Sequence, residues 1–148
     1  MYNRFAELML TALRALLGVL GFSAVLICLS IMLMGPQRTA WQAESMFDAL
    51  ARSPAGLSEA WPPTMDSELR FYAPFWGAYG IILIAVARSL PRRAEWVPWP
   101  ALLFFVGGLG RVVSIAAVGR PHPFFIMLMV IELILPPVFI LLWRFALA

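Results

Sequence analysis

The chain has 148 residues, 62% of them hydrophobic and 13% charged, with a mean hydropathy of +0.86. A soluble domain keeps roughly 25% charged residues to face water, and a disordered chain needs low hydrophobicity. Both classes are excluded, and an integral membrane protein remains. All 11 basic residues are Arg, and against 8 acids they leave a net charge of +3. That excess is too small and too scattered for a nucleic-acid surface. The lone Cys28 excludes an intrachain disulfide. The lone His122 gives no basis for a His-rich metal site or a bis-His haem, so no metal or cofactor is expected.

Four apolar runs are each long enough to cross a bilayer as a helix, which takes about 20 residues. The first is Ala15–Met34. Its core is longer than the ~7–15 residues of a signal peptide and no A-x-A site follows it, so it reads as a span. Gly18, Gly21, Val25 and Cys28 form a stripe along it. Met34-Gly35-Pro36 ends it. The loop 35–69 follows, with five acids: Glu44, Asp48, Glu59, Asp66 and Glu68. Within it Ala43, Met46, Phe47 and Leu50 stand at i, i+3, i+4, i+7, the pattern of a short amphipathic helix. Such a helix either lies on the membrane surface or caps the bundle. Ser53-Pro54-Ala55-Gly56 ends it, and Trp61-Pro62-Pro63 is an extended stretch. Asp66 or Ser67 is placed to N-cap the next helix, with Glu68 in its first turn.

The second span is Phe71–Ala87, with Ala73, Gly77 and Gly80 as a small-residue face and Pro74 as a kink site. The third is 101–118, interrupted by Arg111, and the fourth is 124–143, interrupted by Glu132. The chain is therefore read as one four-helix transmembrane domain, 1–148. Loop arginines set orientation. Arg4, Arg14, Arg88, Arg92, Arg93 and Arg144 fall on one side, and the short Arg88–Arg93 loop makes that side cytoplasmic, with both termini. Trp96, Trp99 and Trp143 form an aromatic belt there.

Arg111 and Glu132 each cost roughly 2.5–3.5 kcal/mol to place at a helix centre, so each is a candidate functional residue that needs a partner. Arg111 lies ~10 Å below the end of its span and Glu132 ~12 Å below the start of the next, at 1.5 Å per residue. The turn 119–123 is short, so these helices are antiparallel neighbours and the opposite charges pair. Pro136 and Pro137 free the carbonyls of Glu132 and Leu133. Gly107, Gly110, Arg111 and Ser114 form one face at i, i+3, i+4, i+7. The Gly110/Ser114 pair on that face allows close helix approach. The small faces of the first three spans are expected to meet around the charge pair. Ser114 is expected to bond its own backbone, and His122 to be an exposed turn residue. Arg120, His122, Glu68 and Tyr72 are secondary site candidates.

Gly107-Gly108-Leu109-Gly110-Arg111 with Ser114, Gly119-Arg120-Pro121, and Glu132 with Pro136 resemble a bacterial family of small four-span membrane proteins described as a domain of unknown function. The resemblance runs from Glu68-Leu69-Arg70-Phe71 through the last span and leaves out the first span and the loop before it. It implies a four-helix fold in a bacterial inner membrane and brings no activity, substrate or cofactor. A looser similarity to DoxX-like four-helix proteins implies no more.

No nucleophile–base set and no phosphate-binding loop accompany the charge pair. The first functional reading is an accessory subunit of a larger membrane complex, or of a homo-oligomer, with the Arg–Glu pair organising the bundle. The alternative is a binding or transport module for a lipid, a quinone or a small anionic metabolite at Arg111 and Glu132. A membrane isomerase ranks last, because a lone carboxylate neutralised by Arg is a poor general base.

Overall fold

The apolar runs, extended at several ends by polar turns, become the long helices of a computed structural model that describes residues 2–52 and 56–147. In chain order they are α1 (Tyr2–Met34), α2 (Pro36–Ala51), α3 (Pro63–Ser89), a single 3₁₀ turn (Ala94–Trp96), α4 (Pro98–Val118) and α5 (Pro123–Leu147). All but α2 are long and apolar enough to cross a membrane. The described residues form no strand.

Backbone chemistry marks the boundaries. Helices α2 to α5 each open on proline, whose fixed φ suits the first helical position and whose missing N–H is not needed there. Gly35 and Gly119, with φ of +96° and +100°, follow α1 and α4, in a region that side chains disfavour. At Gly35 a Cβ would also lie 2.8 Å from Arg70 Nη2, so a side chain there would have to displace that guanidinium. The expected cap at Asp66 or Ser67 does not form. Pro63 starts α3 earlier, behind an extended Pro62, and Asp66 instead pairs with Arg70 at 2.7 Å. Of the expected break after α2, Ser53, Pro54 and Ala55 lie outside the described residues.

The most extensive packing is α1 against α3. Their backbones touch at Gly21 and Gly80, where a Cβ on either glycine would lie 2.6–2.7 Å from the other's carbonyl oxygen. The Cys28 side chain packs on Gly77, where a Cβ would lie 2.8 Å from Sγ. Each helix also caps the other's end. Arg14 of α1 donates to the carbonyls of Ala87 (3.2 Å) and Leu90 (2.8 Å). Arg70 of α3 donates to those of Ile31 (3.3 Å) and Met32 (3.0 Å). These carbonyls lie in or directly after the last turns, where few backbone donors remain and the dipole favours a cation; that of Ile31 also accepts the Gly35 N–H at 3.0 Å. The stripe thus holds α1 to α3, rather than to the Arg111 region, and Gly18 packs on nothing.

Helix α5 packs against α1 and α4. Helix α3 reaches α4 near the 3₁₀ turn, where Tyr79 donates to the Pro100 carbonyl at 2.9 Å and Trp76, Tyr79 and Phe104 stack. Phe5 meets Phe145, so the outer ends of α1 and α5 lie together, on the side of the α3–α4 loop.

Helix α2 caps the opposite end, packed on α1, α3 and α5. Its inward face differs from the expected one. Met46 and Leu50 are 66% and 83% exposed, whereas Glu44 is fully buried. Glu44 Oε2 accepts hydrogen bonds from the Ser58 N–H (2.9 Å) and hydroxyl (3.1 Å), which offset part of the cost of burying a carboxylate, while Oε1 has no hydrogen-bond partner among the described residues.

The α1–α3 contact predicts a clear contrast. Gly21→Ala or Gly80→Ala overpacks the crossing and costs about 1–3 kcal/mol, read as a lower melting temperature in detergent. Gly18→Ala leaves that temperature unchanged or raises it.

Candidate functional site

Glycine sets the approach of α4 to α5. A Cβ on Gly108 would lie 2.9 Å from Leu133 Cδ2 and 3.0 Å from Glu132 Cβ. Three residues on, Arg111 faces Glu132, and its Nε donates to Glu132 Oε2 at 2.7 Å. The expected pair is therefore present, with Arg111 seven residues before the end of α4 and Glu132 nine after the start of α5. The guanidinium bonds the carboxylate and not the carbonyls freed by Pro136 and Pro137. Its Cζ also lies 5.9 Å from the centre of the Phe125 ring, within cation–π range.

The two charges differ in environment. The Glu132 side chain is 9% exposed and that of Arg111 37%. The exposed part of Arg111 borders a groove of about 440 Å³. Two facing helical stripes line it. Helix α3 supplies Leu69, Tyr72, Ala73 and Trp76, and α4 supplies Gly107, Gly110, Arg111 and Ser114. Both sets follow i, i+3, i+4, i+7 spacing, so each presents one helix face. Ile31 and Glu132 complete the lining.

The polar face expected on α4 is thus real, but its role differs. A Cβ on Gly107 or Gly110 would meet nothing within 4 Å, so these glycines border open space rather than a packed helix, and Gly108 makes the close contact instead. Ser114 is exposed and, among the described residues, makes no hydrogen bond, in contrast to the expected bond to its own backbone. It adds a free hydroxyl to the groove. Tyr72 joins the lining. Glu68 and Arg120 are exposed and stand outside it. Trp76 and Ile31 were not anticipated. For Trp76 the signal was its seven-residue spacing from Leu69 on the Tyr72–Ala73 face.

His122 forms a second polar cluster and corrects the expectation of an exposed turn residue. Its side chain is only 4% exposed. Nδ1 accepts the Phe124 N–H at 3.2 Å, capping a free donor at the start of α5. That bond turns the ring inward, so that Nε2 lies 3.3 Å from Asp48 Oδ1 on α2. Phe47 packs edge-on against the ring and against Phe124.

A family model described as Domain of unknown function (DUF4345) matches residues 12–143. The chain therefore belongs to that family. The match takes in α1 and α2, so it reaches further than the resemblance read from the later spans, and the amphipathic helix is not an addition outside the family region. No curated protein and no solved structure matches.

The glycines of α4 separate by role. Gly108→Ala pushes α4 off α5 and loosens the Arg111–Glu132 bond, at a cost of about 1–3 kcal/mol. Gly107→Ala and Gly110→Ala meet open space and stabilise the helix by up to about 1 kcal/mol. Thermal melts of the three variants in one detergent check the ordering.

Proposed function

For this member of the DUF4345 family we propose a binding role: the groove between α3 and α4 takes a lipid-soluble quinone-like molecule and holds a carbonyl oxygen on Arg111. The carrying observation is the division of the guanidinium. Its Nε is bonded to Glu132, and the side chain remains 37% exposed at the groove. Arginine has five N–H donors in a rigid fork, so the two Nη groups remain for a ligand.

The charge balance selects the ligand. Arg111 and Glu132 neutralise each other, so a ligand with a net charge would enter a low-dielectric site uncompensated. A neutral acceptor avoids that cost, which favours a quinone or ester carbonyl over a small anionic metabolite. Trp76 and Tyr72 offer aromatic surface to a planar ring. Ala73, Gly107 and Gly110 leave room beside it, and Ser114 offers a further hydrogen bond. The lone neutralised carboxylate supports no acid–base step, so a carrier or sensor of the ligand fits better than an isomerase. The proposed location is a bacterial inner membrane, with both termini cytoplasmic. The Arg88–Arg93 loop and the outer ends of α1 and α5 share one side, which supports that orientation.

The test uses the full chain in mild detergent with added long-chain ubiquinone, followed by mass spectrometry of the retained quinone. Gly110→Leu fills the groove from an open position. It is expected to cut retention at least about tenfold, equal to ~1.4 kcal/mol, with an unchanged melting temperature. The double variant Arg111→Leu/Glu132→Leu removes both charges without stranding either, and is expected to fold and lose retention as well. Equal retention by wild type and Gly110→Leu overturns the reading. Absence of retained quinone together with a stoichiometric membrane partner overturns it in favour of an accessory subunit.

A further inference from the structure

At the opposite end of α3 from the groove, the loop leading into α4 encloses a concavity of about 580 Å³ lined by Ser89, Arg92, Arg93, Glu95 and Trp96. We propose that it holds the headgroup of a phospholipid that carries both a phosphodiester and a primary ammonium.

Three observations carry this. The first is depth. The concavity lies between the ends of two membrane-capable helices, α3 and α4, beside Trp96 and Trp99, both exposed. Exposed tryptophans at span ends mark the headgroup level of a bilayer. The second is unused charge. Arg14 and Arg70 are engaged by backbone carbonyls, and Arg111 is bonded through Nε to Glu132. Among the described residues, Arg92, Arg93 and Glu95 make no ion pair or side-chain hydrogen bond, although they line one cavity. The third is sign. Two cations and one anion remain separate within the same concavity.

A phosphodiester presents two non-bridging oxygens with one negative charge, which suits two guanidinium forks. That leaves the Glu95 carboxylate, which a primary ammonium neutralises while donating N–H bonds. A glycerol headgroup offers Glu95 a hydroxyl but no charge. A choline headgroup offers charge and can sit against Trp96, but it has no N–H to donate. Of these three headgroups, phosphoethanolamine alone offers a charged hydrogen-bonding partner to both arginines and to Glu95. This site is independent of the quinone reading and shares no lining residue with the groove.

The test is native mass spectrometry of the full-length protein from micelles containing equimolar phosphatidylethanolamine, phosphatidylglycerol and phosphatidylcholine. Wild type is expected to retain phosphatidylethanolamine about fivefold over either competitor, the upper range for an exposed ion pair. Glu95→Gln is expected to bring phosphatidylethanolamine and phosphatidylglycerol to equal retention while total bound lipid is maintained. Arg92→Gln/Arg93→Gln is expected to lose bound lipid of all three classes. These exposed positions leave the melting temperature unchanged. Equal retention of the three lipids by wild type, a preference that survives Glu95→Gln, or full retention by the double arginine variant would each overturn the proposal.

Discussion

The last carbonyls of a helix lack the donors that the next turn would supply, and those of a membrane helix need other partners. In this protein α1 and α3 resolve that constraint for each other. Arg14 supplies donors to the last turn of α3, and Arg70 supplies donors to the last turn of α1. The exchange works only if the helices are antiparallel and in one register. Gly21 and Gly80 enforce that register by bringing the backbones into contact midway. The pair is thus fixed at both ends and in the middle. The α4–α5 hairpin joins this frame through α5 on α1 and through Tyr79 on Pro100. With α3 and α4 joined near one end, the space between their faces towards the other end remains as the groove.

The energetics of Arg111 and Glu132 follow from that geometry. A buried ion pair seldom stabilises a fold more than apolar residues of equal size would, because both charges must be desolvated. Here the desolvation is uneven. Glu132 lies almost wholly inside and needs a cation beside it. Arg111 is partly open and needs Glu132 less. On the proposed reading, the pair is a carboxylate that orients a guanidinium towards the groove. Helix contact at this level is also provided by Gly108 against Leu133 and Glu132.

Much of this was legible in the sequence where one physical rule sufficed. Span number followed from apolar length, and the Arg111–Glu132 pairing followed from helical rise and a short turn. Helix ends were read too short, because a polar residue was taken to mark departure from the membrane. Arg14 and Arg70 are instead helical residues whose charges serve the neighbouring helix. The inward face of α2 was read from its apolar side, which holds when water is the only partner for a carboxylate. Glu44 has Ser58, fourteen residues further on in an irregular segment, and Asp48 faces His122 across the fold. Contacts of that kind carry no periodic signal. The groove was half visible: the α4 stripe shares one face as its spacing implies, but borders open space rather than a packed helix, and its counterpart on α3 was hidden because Trp76 and Leu69 look like ordinary span residues.

The inverted polarity of α2 also bears on how the groove is reached. A surface-lying amphipathic helix would leave the end of the bundle open. Turned inward, α2 is tied by Glu44 to the segment that precedes α3 and meets the α4–α5 turn at Asp48 and His122. The same helix thereby reaches the elements that begin and end the two groove walls. Its polar contacts lie among buried side chains at that end, while the exposed groove residues Tyr72, Gly107 and Gly110 face sideways between α3 and α4. On the proposed reading the ligand therefore enters from the bilayer rather than from water, and this agrees with a site whose net neutrality favours an uncharged, lipid-soluble partner.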